Sequence, residues 1–392
     1  MKEIEEKDKL TQQSSIPRWA NLIGIVFLLT IIDFNARFAT NPKLQYIIVV
    51  VPLGYILLSE FEKNTQSVFW LASVFASVLW IFGMSGIYWG KIVERNTDGA
   101  LPLIWPLAIL MFGTMRPNSN EDVTKGLILL AYLANIISFQ SLIARLFFPS
   151  ALYSFSHEKA FLIFFSLFIG LRVNKKSIVY LTFILLIANF IAYPALTYVI
   201  CGLSAFIVHT FLRKSFGFKR FLMFQFVSIF FLYTSTFQLS NSNTFLDASY
   251  NFLNRENNVG YRDFLIRQVV SQISEQPYFG SLFRRSVLIE GVGADLPVHN
   301  DFVTVVLGGG IFSLLLYLGL FIITNYNVYT LLPRVIDKQK INAVVCLTIL
   351  VNSYFFCSSA NPISMKPQNG MVLCAAIYSI KMIFDSAGIR RK

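Results

Sequence analysis

The sequence predicts an all-α polytopic membrane protein, with about twelve transmembrane helices and one long loop containing helical segments. Three observations carry this. Of 392 residues, 55% are hydrophobic and 14% charged, against about 25% charged in soluble domains. Apolar runs long enough to cross a bilayer recur along the chain. Lysines and arginines sit mostly in the short links between those runs, where they orient helices in a membrane. The net charge of +12 therefore reads as topology. No basic stripe interleaved with aromatics stands on a soluble module, which argues against a nucleic-acid partner.

Met1 to Ile16 is polar and charged, too hydrophilic for a cleavable signal peptide. The first apolar run is thus read as an uncleaved insertion signal. Twelve spans follow the apolar runs: 19–36, 44–59, 67–89, 101–115, 126–144, 160–171, 177–192, 194–212, 221–239, 302–324, 341–357 and 370–386. The sixth is short enough to be tilted or re-entrant. Tyr193-Pro194 makes the seventh and eighth either a tight hairpin or one broken helix, which would reduce the count to eleven. Cys201, Cys346, Cys357 and Cys374 each lie within an apolar run without metal-ligand spacing, and read as small packing residues.

Placing the N-terminus in the cytoplasm puts twenty lysines and arginines in inside segments and seven in short outside links. This positive-inside bias supports the even count. The chain then divides into a cytoplasmic tail (1–18), spans one to nine (19–239), an outer loop (240–301), spans ten to twelve (302–386) and a second tail (387–392).

Long ordered loops are usually functional. The loop opens on the polar, turn-rich "LSNSNTFLDASYNFLNRENNVG". It continues with "YRDFLIRQVVSQISEQPYFG", which has helical periodicity and stops at Pro277 and Gly280. With Tyr261 at zero on a helical wheel, Leu265, Val269, Ile273, Ile266 and Val270 fall at about 40 to 180°, and Arg262 at about 100°. Arg262 stands in the middle of the apolar face, where a guanidinium needs a partner. Either its head snorkels at the helix end, or it points into a cavity that holds an anion. The loop's basic residues are Arg255, Arg262, Arg267, Arg284 and Arg285, with no lysine. Arginine suits bidentate recognition of phosphate. Arg284-Arg285 also reads as a solvated or headgroup-contacting pair.

His299 ends the loop in "LPVHNDFVTVVLGGG". Its near-neutral reference pKa suits a general base, and an interfacial histidine with local hydrogen bonds is the plainer alternative. Asn300 or Asp301 is placed to cap the following helix. Gly308-Gly309-Gly310 permit close helix approach, a kink or a hinge. His157 lies in an outer link, and His209 near the inner end of the eighth span. The chain carries no P-loop, no GxGxxG after a strand, and no HExxH or GxSxG. A metal-free reaction using arginine and histidine fits this inventory.

The set "GYRDFLIRQVVSQISEQPYFG", "VHND" and a glycine-bearing helix with "LLLYLGLF" resembles the O-antigen ligase and O-antigen polymerase family of bacterial envelope glycosyltransferases. Members show a Gly-x-Arg helix ending in Pro-x-x-Gly, then His-Asn at the start of a membrane helix. The matching positions are Gly260, Arg262, Pro277, Gly280, His299 and Asn300, within a stretch from about 260 to 322.

The resemblance implies about twelve spans, cytoplasmic termini in the bacterial inner membrane, and a periplasmic loop between spans nine and ten. It also implies transfer of an undecaprenyl-diphosphate-linked glycan at the periplasmic face, with neither cofactor nor metal. The acceptor is a glycan, for a repeat-unit polymerase of O-antigen or a related surface polysaccharide. For a ligase it is lipid A-core. By the match, His299 is the general base and Arg262 holds the diphosphate. Arg267, Arg284 and Arg285 are the further phosphate-binding candidates, and Asn300 and Asp301 play supporting roles.

Many relatives carry one more arginine in the helices before the loop. The comparable stretch here, "NFIAYPALTYVICGLSAF", has none, leaving Arg145 and Arg172 as candidates. A transporter or flippase of lipid-linked sugars is the alternative of another class. It requires polar residues along a path through the bundle, of which Asp33, Asn35 and Asn135 are the candidates.

Overall fold

The computed structural model describes residues 16–38, 122–147, 159–192, 196–212, 222–227, 268–274, 277–278, 286–289, 294–297, 300–360 and 367–389. Its helices are α1 (Arg18–Phe38), α2 (Val123–Phe147), α3 (Ala160–Arg172), α4 (Lys176–Ala192), α5 (Leu196–Phe211), α6 (Asp301–Leu331), α7 (Lys338–Ala360) and α8 (Pro367–Ser386). Two short strands, β1 (Ser286–Ile289) and β2 (Ala294–Pro297), precede α6. The predicted spans 44–59, 67–89 and 101–115 lie outside the described residues. So does most of 221–239, of which 222–227 are helical.

Within the described residues, helix follows the predicted apolar runs closely, because a run of apolar residues in lipid must satisfy its own backbone. Three of these helices carry segments long and apolar enough to cross a membrane, at Val123–Ala144, Gly310–Arg334 and Lys338–Ser359. The tenth span extends past its expected end at 324 to Leu331 and closes in a 3-10 turn at Leu332–Arg334.

The bundle is built around α7, which packs against α2, α3, α5, α6 and α8. Its residues Val344, Cys346, Leu347, Leu350, Val351 and Phe355 are fully buried. All four cysteines are buried and unbridged, as packing residues should be. α1 meets α2 closely: a Cβ added at Gly126 would sit 2.8 Å from the Ala20 Cβ. Glycine there permits the approach, a common device between helices in lipid.

Polar side chains join helices inside the bundle, where a stray polar group has no water to turn to. The Thr182 hydroxyl lies 3.0 Å from both Asn135 Oδ1 and Ser166 Oγ, tying α2, α3 and α4 together. Asn325 and Asn352 exchange amide hydrogen bonds of 3.2 and 2.9 Å between α6 and α7. Asn135, one of the residues a transport path would need, thus has its side-chain oxygen engaged in interhelix contact.

Contacts fix the direction of each helix. The α7 start meets the α3 end through Asn342 Nδ2, which donates to the Arg172 carbonyl, and the α8 end through Lys340 Nζ, which donates to the Ser386 carbonyl. At the opposite end of the bundle, the Asn300 side chain reaches the Ser359 carbonyl near the α7 end. α4 rises from the Arg172 end, since Asn189 near its far end contacts Ser138 of α2. α5 returns, with Cys201 donating to the Ser353 carbonyl at the Asn300 end. α4 and α5 therefore run in opposite directions, which excludes one broken helix; they pack on α3 rather than closely on each other. Phe190 and Tyr198 meet across Tyr193-Pro194 with ring centroids 6.2 Å apart. Arg18, Lys125, Arg172, Lys175, Lys176, Arg334, Lys338 and Lys340 all belong to helix ends or links opposite Asn300.

Candidate functional site

Asn300 organises the start of α6. Its backbone is extended (φ −162°, ψ 122°), and its Oδ1 accepts the Val303 N–H at 3.1 Å. This satisfies one of the orphan donors of the first turn. Its Nδ2 donates to the Ser359 carbonyl at 2.6 Å, at the end of α7 where helix carbonyls lack partners. The Asn300 carbonyl accepts the Thr304 N–H at 3.0 Å and its hydroxyl at 2.8 Å. One residue closes two helix ends, which is why it is buried at 6% exposure.

Asp301 follows with no exposed surface. A carboxylate in the first turn is favoured by the helix dipole. The Tyr317 hydroxyl lies 3.2 Å from Ser358 Oγ, and its ring stacks edge-on to Phe302. Tyr354 packs against Phe161 of α3, with centroids 5.4 Å apart. That contact brings in Lys159, which is buried at 5% exposure and donates to Asn369 Oδ1 at the start of α8. α6 and α7 thus share the buried polar contacts Asn300–Ser359 and Tyr317–Ser358, and Lys159 and Asn369 form a second buried pair between the starts of α3 and α8.

The segment before His299 is a hairpin. β1 and β2 pair antiparallel, Ser286 opposite Pro297 and Ile289 opposite Ala294. The intervening residues, Glu290-Gly291-Val292-Gly293, include two glycines suited to a tight connection. Sequence periodicity had indicated helix and turn in this loop, and these strands were not foreseen: each is four residues long, too short for alternation to register. Arg285 immediately precedes Ser286, and His299 follows Pro297 by two residues.

A second tie joins the loop to α6. Residues 268–274 are helical, with Val269 buried and Val270, Ser271 and Ser274 exposed. The buried face holds Val269 and is narrower than predicted, because Val270 faces out. This helix leads into Pro277 and Tyr278, whose carbonyls accept the N–H groups of Ile311 and Phe312 at 3.0 and 3.5 Å.

His299, Arg262, Arg267, Arg284 and Arg285 themselves lie outside the described residues, as does His157. Asn300 is brought together with the end of α7, and Asp301 is buried beside it. Arg172, one candidate for the missing arginine, stands at the wrong end of α3. The helix has thirteen residues, which separates Arg172 from Lys159 by about 20 Å. Arg145 belongs to the last turn of α2, toward the Asn300 end. His209 packs against Phe168 at the far end of α5, with centroids 5.0 Å apart.

Sequence reasoning missed Lys159, Tyr317 and Tyr354. The available signal was Lys159 at the boundary of an apolar run, a lysine with nowhere to go except inward or into headgroups. No protein-family model matches the chain, and no curated protein does.

Proposed function

We propose that this chain transfers a lipid-diphosphate-linked glycan at the periplasmic face of the bacterial inner membrane. In this reading it spans the membrane about twelve times with both termini in the cytoplasm. It acts as a repeat-unit polymerase for O-antigen or a related surface polysaccharide. The observation that carries the reading is the sequence set "GYRDFLIRQVVSQISEQPYFG" and "VHND", supported by the buried Asn300, which caps α6 and follows His299 in the chain. The gathering of lysines and arginines at the bundle end opposite Asn300 supports a cytoplasmic assignment for that end.

The reaction needs few parts. The acceptor hydroxyl gives its proton to His299 as its oxygen attacks the anomeric carbon of the donor. The bond from that carbon to the diphosphate oxygen breaks, and undecaprenyl diphosphate leaves with the bonding pair. Guanidinium groups at Arg262, Arg267, Arg284 and Arg285 stabilise the charge that grows on the diphosphate. Asn300 holds the backbone beside the base, and the lipid tail stays in the bilayer throughout.

Deletion of the gene in its native strain, followed by gel separation of lipopolysaccharide, tests the reading. Loss of a polymerase leaves core carrying a single repeat. Bare core with accumulated lipid-linked polymer would indicate the ligase activity instead, and accumulation of lipid-linked repeats at the cytoplasmic face a flippase. An unchanged ladder rejects O-antigen as the product. His299→Ala and Arg262→Ala are each expected to abolish transfer with insertion unchanged, and full activity in either removes the role assigned to that residue.

A further inference from the structure

The helix α6 is broken at Gly310. Its backbone there has φ 66° and ψ −164°, a region open essentially to glycine. The break has a consequence for hydrogen bonding. After it, the N–H groups of the next residues have no helical carbonyl behind them. In lipid or protein interior such donors need replacements. The loop supplies them: Ile311 N–H to the Pro277 carbonyl at 3.0 Å, Phe312 N–H to the Tyr278 carbonyl at 3.5 Å. The Tyr278 and Phe312 rings also meet, with centroids 6.2 Å apart. The loop helix and the first part of α6 are therefore two arms fastened at one point. One arm contains the helical residues 268–274, and the other begins at Asn300 and Asp301. From the fastening, each arm is about ten residues, or about 15 Å, long.

We propose that Gly310 is a positioning residue, and that its left-handed break latches the Pro277–Tyr278 turn so that the loop is held at a fixed point on α6. The latch itself stands on the backbone geometry, while its role in positioning rests on the glycan-transfer reading above. Gly310 touches no substrate. It acts through the amides it frees, and a displacement of about 1 Å in a reacting pair costs about a hundredfold in rate.

The test uses the full chain in proteoliposomes with Tyr278→Cys and Phe312→Cys introduced together. The facing backbones are close enough for a disulfide, and the four native cysteines are buried and do not compete. Oxidation is expected to cross-link the pair rapidly. Gly310→Ala places a side chain where φ is positive and should lower the cross-linking rate about tenfold or more. Ile311→Pro keeps Gly310 but deletes the N–H that donates to Pro277. Proline is tolerated there because residue 311 starts the second half-helix, so this variant removes the latch bond without the strain. It should also slow cross-linking. Gly319→Ala is the control, since an added Cβ there meets nothing within 4 Å.

Without the cysteines, Gly310→Ala and Ile311→Pro should each lower kcat about tenfold or more with KM little changed, measured with an undecaprenyl-diphosphate oligosaccharide. Cross-linking that neither variant slows overturns the latch. Slowed cross-linking with kcat retained overturns the positioning role. A wild-type chain that transfers no glycan overturns the transfer reading and the positioning role together, and the cross-linking rates then decide the latch by themselves.

Discussion

The membrane-spanning windows of α6 and α7 have equal mean hydropathy, yet they live differently. In α7, 89% of the spanning window is buried; in the window that follows the α6 break, 29% is. α7 is continuous and central, while α6 is broken and faces outward through Ile311, Phe312, Leu315 and Ile323. Hydropathy commits a segment to the bilayer but does not say which neighbours it will have. That choice falls to the minority residues. α7 carries Thr348, Asn352, Ser353, Ser358 and Ser359 on buried positions, with cysteines and alanines that let helices approach. α6 carries three consecutive glycines, and one of them takes a conformation that ends regular helix. The central helix is the scaffold, and the broken one fastens the loop through Ile311 and Phe312.

The comparison is broken most severely at the joint between the two helices. Asn300→Ala removes the cap of α6 and leaves the Ser359 carbonyl of α7 without its donor. The lost cap costs about 1 kcal/mol and the stranded carbonyl about 1–3 kcal/mol. A clear drop in the thermal midpoint in detergent is expected, with transfer lost as well. Asn300→Ser keeps a cap oxygen and loses the bridge, so its midpoint should fall between those of the wild type and Asn300→Ala.

A smaller effect is expected at the pairing deeper in the membrane. Asn352→Ala removes both hydrogen bonds to Asn325 and should cost about 1 kcal/mol. Adding Asn325→Ala to it should cost less than the sum of the two single changes, because the partners share one interaction. Additive losses in a double-mutant cycle would deny the coupling. The smallest effect belongs to Gly319, on the regular part of α6. Gly319→Ala should leave the midpoint unchanged or slightly raised, since alanine favours helix over glycine.

The membrane helices were legible because runs of apolar residues bounded by charge have few other uses. The end of α6 was misjudged for a physical reason: Asn325, Tyr326 and Asn327 look like an exit from lipid, but Asn325 is buried by its pairing with Asn352. The Tyr193-Pro194 ambiguity could not be settled from local sequence, because a hairpin and a broken helix share the same residues and differ only in long-range packing. At the site, Asn300 was legible as a cap, since cap chemistry is local. Its second bond to Ser359 was not, because that partner is 59 residues away. The glycine triplet announced a kink without showing that Gly310 carries it or that Pro277 receives the freed amide. Lys159 was hidden by the expectation that lysines at span ends face headgroups.

The central claim is glycan transfer with His299 as the base. Its most direct measurement is release of undecaprenyl diphosphate from a lipid-linked repeat by the purified chain in proteoliposomes, with wild type and His299→Ala run side by side. The account predicts stoichiometric release with growth of the glycan for wild type, and neither for His299→Ala. Release at equal rates by both, or by neither, would contradict it.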